Sequence, residues 1–462
     1  MLKNESQHVS FSKNPKPDIT LRGQYTGGKY KHKTPKYIKM NKPNRLWYDE
    51  ARNYVEHDLT ENKVFPVPTS AYKINSRFVS KFRLKTATKN NILKSAVSRF
   101  NYFQNGENFV NIKFLITDSS ALKNPDDLKS AAQESYKINR NETGFTVSCE
   151  TVFGCKHAII TISQDGQIRK MADAPVYLHR GLMFDSARHF LPVKHVKRIL
   201  AGMELNKLNI LHWHFSDHQT LSIQLDLLES NHSKLNYPGR FYTKQDVSEI
   251  IEFARVRGIA IMPEFDMPDH MQAISAVLHN ITTRCDSAKE ARYRWDGPLD
   301  VTNDYTYTWI DDLLTELGKL FSASSKIHIG NDEVHFSCWD SNTKIKSWME
   351  THKMAIFDTE GKPFYHDYEA LQMYFLNRVT KMIKHKNRWK TVGMWEDSVC
   401  KSEDTLPDSL DTVIYTWKNF GGEQMVEKVK RYTNLGFKVV RNDCWYLDHY
   451  KSSQPGSEQC TV

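Results

Sequence analysis

Seven short apolar runs, each closing on a polar or aromatic residue, set the strongest limit on how this chain folds. They are GLMFD (181–185), LNILHWH (208–214), GIAIMPEFD (258–266), SKIHIG (325–330), TVGMWED (391–397), TVIYTW (412–417) and FKVVRND (437–443). Helix-like segments lie between them, for example residues 193–206 and 244–258. In the second, Asp246 is placed for a first-turn charge and Gly258 for a C-terminal stop. Continuous apolar strands alternating with helices make a parallel sheet covered by those helices. The reading is an α/β fold of (β/α)8 TIM-barrel type, in which an eighth strand is not visible before Val462.

Upstream of His179 the rhythm is different. Residues 109–118 alternate like a strand, and residues 144–164 read as strand, turn and then a helix or strand. The polar stretches 89–101 and 126–137 read as surface helices. Together these make a mixed α+β domain without an HExxH motif or a Gly-rich phosphate loop. The expected organisation is a basic, disordered tail over 1–50 and a non-catalytic α+β domain over 51–172. The catalytic barrel follows over 173–450, with a polar tail over 451–462.

The net charge of +10 belongs to the tail. Residues 1–45 carry eleven Lys/Arg against Glu5 and Asp18, which leaves 53 basic against 52 acidic residues in the rest. A solvated leader is therefore a better reading than a nucleic-acid protein. No apolar run is long enough to span a bilayer, and residues 1–20 lack the hydrophobic stretch of a signal peptide. Sequons at Asn4, Asn141, Asn231 and Asn280 lean toward a secretory route. Seven cysteines without a CxxC pair argue against a zinc site, and Cys149/Cys155 and Cys285/Cys338 are candidate disulfides.

In a (β/α) barrel the chemistry sits at the C-terminal ends of the strands. Here those ends carry Asp185, Asp217, Glu264 with Asp266, Asp332 with Glu333, Trp395 with Glu396, Trp417, and Tyr446 with Asp448. One acidic strand end reads as a helix cap, and Asp185 fits that role as well as a functional one. Carboxylates converging with aromatics on one rim instead suit a sugar ring, whose C–H faces stack on Trp while its hydroxyls meet carboxylates. His212 and His214 share a strand face, so a metal is geometrically open to them. Without a third ligand in the pattern, packing and supporting hydrogen bonds are the better reading.

The motifs HRGLMFDSARHFLP, LNILHWHFSD, MPEFDMPDH, HIGNDEV, MWED and WYLD, in this order, resemble the β-N-acetylhexosaminidases of glycoside hydrolase family 20. The similarity runs from about Val64 to Tyr450. It implies that Arg180 binds sugar hydroxyls, that Asp332 and Glu333 are the catalytic pair, and that Asp217, Asp266 and His270 support them, with His214 behind. Trp395 and Trp417 would wall the acetamido pocket, Tyr446 would bond the acetamido oxygen, and Asp448 would hold a hydroxyl. Cys285 and Cys338 match a disulfide of animal members. The resemblance further implies a carbohydrate substrate, no cofactor, a homodimer, and a lysosomal or secreted location.

Such enzymes are among the exceptions to the two-separated-carboxylates rule, because the substrate's 2-acetamido oxygen attacks the anomeric carbon. Glu333 would protonate the leaving oxygen and Asp332 would steady the charged ring that forms. Neighbouring strand residues face opposite ways, so both can serve one pocket only where the chain leaves strand geometry. The family usually has Gly at the position of Asn331. Asn is the mildest replacement if the position needs a positive φ, and a crowding one if it needs close backbone approach. His218 stands for a common Asp and Asp269 for a common Gly. With seven strands the pocket would lack its last wall, so this reading expects little turnover from the 462-residue chain alone, or a glycan-binding relative without turnover.

Overall fold

The computed structural model describes residues 82–103, 107–118, 122–236, 238–285, 297–357, 360–361, 363–386, 389–399, 411–418 and 422–442. The expected basic tail, the polar tail 451–462, Tyr446 and Asp448 lie outside the described residues.

Five strands come first: β1 (Arg83–Lys85), β2 (Phe109–Ile116), β3 (Tyr136–Asn141), β4 (Gly144–Cys149) and β5 (Lys170–Asp173), in the sheet order β1-β2-β4-β3-β5. Helices Asn91–Phe103 and Val152–Gln164 pack with them in a core that includes Leu93, Ile138, Val147 and Ile159. The ambiguity over 144–164 resolves as strand and then helix. Thr151 caps that helix by accepting from the Phe153 N–H at 3.2 Å. The helix expected over 126–137 does not form. Short 3₁₀ turns at Pro125–Asp127 and Ala131–Glu134 lead into β3, because Tyr136 and Ile138 alternate with exposed Lys137 and bury one face of a strand.

All seven apolar runs become parallel strands of one sheet: β6 (Gly181–Asp185), β7 (Ile210–His214), β8 (Ala260–Glu264), β9 (Lys326–His328), and, after a hairpin of β10 (Ala355–Phe357) and β11 (Pro363–His366), β12 (Thr391–Trp395), β13 (Thr412–Thr416) and β14 (Lys438–Arg441). Their order is β14-β13-β12-β9-β8-β7-β6, with every neighbouring pair parallel. This is a TIM-barrel-like sheet, and among the described residues β6 and β14 are its two edges. The helix Lys244–Arg255 opens with a reciprocal cap between Thr243 and Asp246, and Gly258 just beyond its end takes a φ of 69°.

Both faces of the five strands from β7 to β13 in this sheet are buried or nearly so, while the edge strands β6 and β14 are part-exposed. On the outer face Leu211, Trp213, Ile261, Ile327, Met394 and Ile414 pack into one large cluster with the helices. On the inner face Ile210, Ala260, Met262, Val413 and Tyr415 form a smaller apolar cluster, topped by Trp395. His212, His214, Glu264 and His328 occupy the same inner positions nearer the C-terminal ends, where strand alternation puts polar groups inside the barrel.

Candidate active site

The end of β9 departs sharply from strand geometry. Gly330, Asn331 and Glu333 take φ values of 68°, 72° and 47°, in the left-handed region that ordinary side chains avoid. At Gly330 glycine itself is required, since a Cβ there would lie 1.7 Å from Asp266 Oδ1. Of the two alternatives for Asn331, the positive φ is therefore the operative one. Its buried amide donates to Ser398 Oγ at 2.8 Å, and its N–H donates to Asp266 Oδ1 at 3.0 Å.

This turn lets two successive carboxylates face one imidazole. His270 Nε2 lies 3.6 Å from Asp332 Oδ2 and 3.7 Å from Glu333 Oε2. The Asp332 side chain is 17% exposed and that of Glu333 is 53% exposed, so the second can meet a ligand from solvent. Behind His270, Asp217 reaches its Nδ1 at 3.2 Å and His214 Nε2 at 2.9 Å. Asp266 shares a hydrogen bond with Asp332. Asp217, Asp266, His270, His214, Asp332 and Glu333 thus come together as one connected group.

The aromatic ends join it differently. Trp395 is buried, and its indole N–H donates to Glu264 Oε1 at 2.9 Å. The Trp417 indole donates to Asp397 Oδ2 at 2.8 Å, while the Glu333 N–H reaches Asp397 Oδ1 at 3.3 Å. Glu396 turns away to brace the next loop, accepting from the backbone N–H groups of Trp417 and Lys418 at 2.8 and 2.6 Å. Asp397 was not singled out from the sequence, yet it ties the turn after β9 to the Trp417 ring.

Arg180 does not join this group, contrary to the expectation that it binds sugar. It precedes β6, so the whole strand separates it from the rim, about 3.3 Å per residue. There its guanidinium grips Glu134 through two bonds of 2.9 Å and donates to the carbonyls of Tyr177 and Lys207. Arg188, three residues past the end of β6, is the arginine at the rim. It lies 2.6 Å from Asp217 Oδ2 and 2.8 Å from Asp185 Oδ2. Asp185 in turn accepts from the backbone of Ala187 and Arg188 at 2.9 Å, a local turn that aims the arginine. Sequence carried the signal: Arg188 follows the apolar run, whereas Arg180 comes before it.

The departures at 218 and 269 are accommodated. The His218 ring stacks on His270 with centroids 4.5 Å apart. Asp269 accepts from His270 N and from His335 Nδ1, each at 2.8 Å. The disulfide Cys285–Cys338 anchors the helix Phe336–Ser341 that follows the turn after β9, and Cys149–Cys155 closes β4 onto the next helix. The remaining three cysteines lie outside the described residues.

Burial by itself would lower the pKa of both rim histidines, but the carboxylates around them outweigh it. His270 rises to about 9 through Asp217 and Asp332, and His214 to about 10 through Glu264 and Asp217. Burial raises Asp332 to about 6, against the pull of His270 and Asp266. Asp266, buried beside Asp332, is pushed well up, so it is the carboxyl that holds a proton between the two. Asp217 is pulled well down, since hydrogen bonds with His214 and His270 overcome its burial.

Metal chemistry needs convergent lone pairs, and His212, Glu264 and His328 bring ligand atoms within 4.8 Å of one another. Only His212 of the HWH pair belongs to this set, so the pair itself does not gain a third ligand in it. His328 Nδ1, however, accepts the Gly330 N–H at 3.1 Å, and Glu264 Oε1 takes the Trp395 N–H. Those two lone pairs are engaged in hydrogen bonds, while His212 Nε2 and Glu264 Oε2 face each other at 2.8 Å.

Comparison with known proteins agrees with the geometry. The sequence model for the catalytic domain of glycosyl hydrolase family 20 matches residues 177–462. Beta-hexosaminidase A of Caenorhabditis elegans is 31% identical over 335 residues, 69% of this chain and 58% of the relative. Beta-hexosaminidase subunit beta of Mus musculus is 30% identical over 329 residues, with the same coverage of each. The chain thus spans less than two thirds of the length of these relatives. Among solved structures, the Flavobacterium johnsoniae chitobiase superposes with a TM-score of 0.63 at 24% identity, over 84% of this chain and 60% of that one. An exo-β-N-acetylglucosaminidase of Vibrio harveyi in complex with N-acetylglucosamine gives 0.61 at 24% identity, over 82% and 60%.

Proposed function

The chain belongs to glycosyl hydrolase family 20, and on that premise we propose that it removes terminal non-reducing β-linked N-acetylhexosamine (GlcNAc or GalNAc) from oligosaccharides or glycoconjugates. The observation that carries the reading is the left-handed turn after β9, which sets Asp332 and Glu333 beside one His270 nitrogen.

The acetamido oxygen of the bound sugar attacks the anomeric carbon, and the departing oxygen takes a proton from Glu333. Asp332 accepts the acetamido N–H and offsets the positive charge of the oxazolinium ring. Water, losing a proton to Glu333, then opens that ring with net retention. Trp395 and Trp417 wall the acetamido group, Tyr446 bonds its oxygen, and Asp448 takes a ring hydroxyl. Arg188, aimed by Asp185, replaces Arg180 as the cation for sugar hydroxyls; its ion pairs at the rim support that role. The two disulfides and the exposed sequon asparagines Asn141 and Asn280 favour an oxidising compartment, lysosomal or secreted. No helix of the described residues is long and apolar enough to cross a membrane. A homodimer rests on the family resemblance alone and is tested by sedimentation.

Substrate assistance makes the reaction testable in one assay. The match to the family's catalytic domain over residues 177–462 favours a hydrolase over the expectation of little turnover. The 4-methylumbelliferyl N-acetylglucosaminide should therefore be hydrolysed, the matching glucoside should not, and a thiazoline shaped like the oxazoline intermediate should inhibit strongly. Equal turnover of the two glycosides would remove the acetamido group from the mechanism.

A further inference from the structure

Glu264 is fully buried inside the barrel, and the reaction steps above make no use of it. Its two oxygens serve two different parts of the site. Oε2 lies 2.8 Å from His212 Nε2 and 2.9 Å from His214 Nδ1. Oε1 accepts the Trp395 indole N–H at 2.9 Å and lies 3.0 Å from His328 Nδ1. From His214 the line continues through Asp217 to His270 and the catalytic pair. A buried carboxylate is costly, so its charge must be compensated by partners. Of those partners, Trp395 is a donor, His328 Nδ1 already accepts from Gly330, and His214 bridges directly to the rim.

We propose that Glu264 is a positioning residue for the reaction, orienting the His214–Asp217–His270 line from one oxygen and the Trp395 indole from the other. The inference rests on the hexosaminidase reading for its kinetic consequence, though not for its geometry. The charged and titratable groups facing His214 are Glu264 from β8, Asp266 just past the end of β8, Asp217 and Arg188 from the loops above it, and Asp185 from β6. Glu264 is the one that meets its Nδ1. Replacing a Glu264 oxygen by an amide N–H, as in Glu264→Gln, removes the charge and presents a donor to the two imidazole edges. His214, raised to about 10 in the native protein, should then titrate nearer its ordinary value of 6.5. The line would lose its fixed charge pattern as pH rises past neutrality.

The test uses the full chain. Histidine side-chain NMR follows the titration of His214, assigned by the signal lost in His214→Gln, in the native protein and in Glu264→Gln. In parallel, kcat and KM on the N-acetylglucosaminide are measured from pH 5 to 9. The expected result is a downward move of the His214 titration by more than one pH unit. With it should come a kcat lowered roughly 10–100-fold, as for other groups that orient reacting residues, and a new loss of turnover above about pH 7. His214→Gln should show the same kinetic loss, and adding Glu264→Gln to it should cost little more. A native-like His214 titration in Glu264→Gln overturns the proposal, and so does a kcat profile unchanged across pH. One equivalent of zinc in the purified protein, with loss of activity on chelation, would also overturn it in favour of a metal centre. If the native chain fails to hydrolyse the glycoside, the reaction reading fails, and the NMR titration still decides what Glu264 does to His214. Should Glu264→Gln not fold, His214→Gln tests the same line by the pH dependence of kcat.

Discussion

The two ends of the barrel bury ion pairs made of the same residue types, and they put them to opposite uses. At the N-terminal ends Glu134 is enclosed by His157 at 2.8 Å, the Arg180 fork at 2.9 Å and Asn209 Nδ2 at 3.3 Å. Burial there would raise its pKa, but His157 and Arg180 outweigh it and hold the carboxyl at about 2. At the C-terminal rim the balance is reversed. Asp266 and Asp332 are pushed up, and Glu333 beside them is half exposed. A carboxylate closed in on every side fixes the strand that bears its partner. A carboxylate held near neutrality next to an open one can trade protons with a ligand. Perturbation alone does not mark a functional group; the rim differs because its raised carboxyls lie beside one that is open to solvent.

The largest effect separating the two ends should come from Glu333→Gln. With an unactivated disaccharide kcat should fall roughly 10²–10⁴-fold, while thermal stability stays native. A nitrophenyl leaving group, which needs little protonation, should hide part of that loss in the first step. Native rates on the disaccharide would take Glu333 out of its role.

The two arginines sharpen the contrast. Arg180→Ala leaves Glu134 buried without its fork and should cost roughly 3–5 kcal/mol of stability, read by urea unfolding, with KM little changed. Arg188→Ala should instead lower kcat/KM, about 10–100-fold if it orients sugar hydroxyls, with a smaller change in stability. The opposite assignment of losses would restore Arg180 as the sugar-binding residue.

Proton linkage gives a third, smaller difference. Asp332, raised from 3.8 to about 6, must be ionised to offset positive charge, so kcat/KM should rise through about pH 6. His270 is raised from 6.5 to about 9, so the stability it contributes is complete below 6.5 and lost as pH climbs through 9. Glu134 runs the other way: its folded pKa is depressed, and its contribution is present above 4.5 and lost as pH falls toward 2. A pH series of unfolding midpoints should thus show a basic loss from the rim and an acid loss from the base. An activity profile flat from pH 4 to 7 would contradict the assignment of Asp332.

The smallest change should come from Asn331→Gly. Its backbone already has a positive φ, which glycine adopts freely, so only the bond to Ser398 is lost, about 0.5–1.5 kcal/mol. Asn331→Val, which resists that φ, should disturb both carboxylates and lower kcat much further.

The strands were legible because the inner strands of a parallel sheet, buried on both faces, are written as unbroken apolar runs, and the part-exposed edge strands β6 and β14 keep the same rhythm. The left-handed turn was legible only in part: the sequence left a positive φ and a close backbone approach both open at Asn331, and the backbone shows the first. Residues 126–137 misled because lysines and glutamine flank a strand whose buried face is only Tyr136 and Ile138. The assignment of Arg180 failed for a different reason. It and Arg188 share one motif, and only strand direction tells which end of the barrel each occupies. Glu134, 46 residues before Arg180, gives no local sign of the partner it will meet. Nor does the sequence show that Asp397 joins Trp417 to the Glu333 backbone, because that link forms only when β9, β12 and β13 lie side by side.

The stereochemistry of the first product tests the central claim most directly. Proton NMR during the opening minutes of hydrolysis, before the sugar equilibrates in water, reads which anomer of N-acetylglucosamine is released. Adjacent carboxylates with a nucleophile supplied by the substrate predict the β-anomer first, by two inversions at one carbon. The α-anomer appearing first would mean direct attack by water, and would contradict the roles given to Asp332 and Glu333.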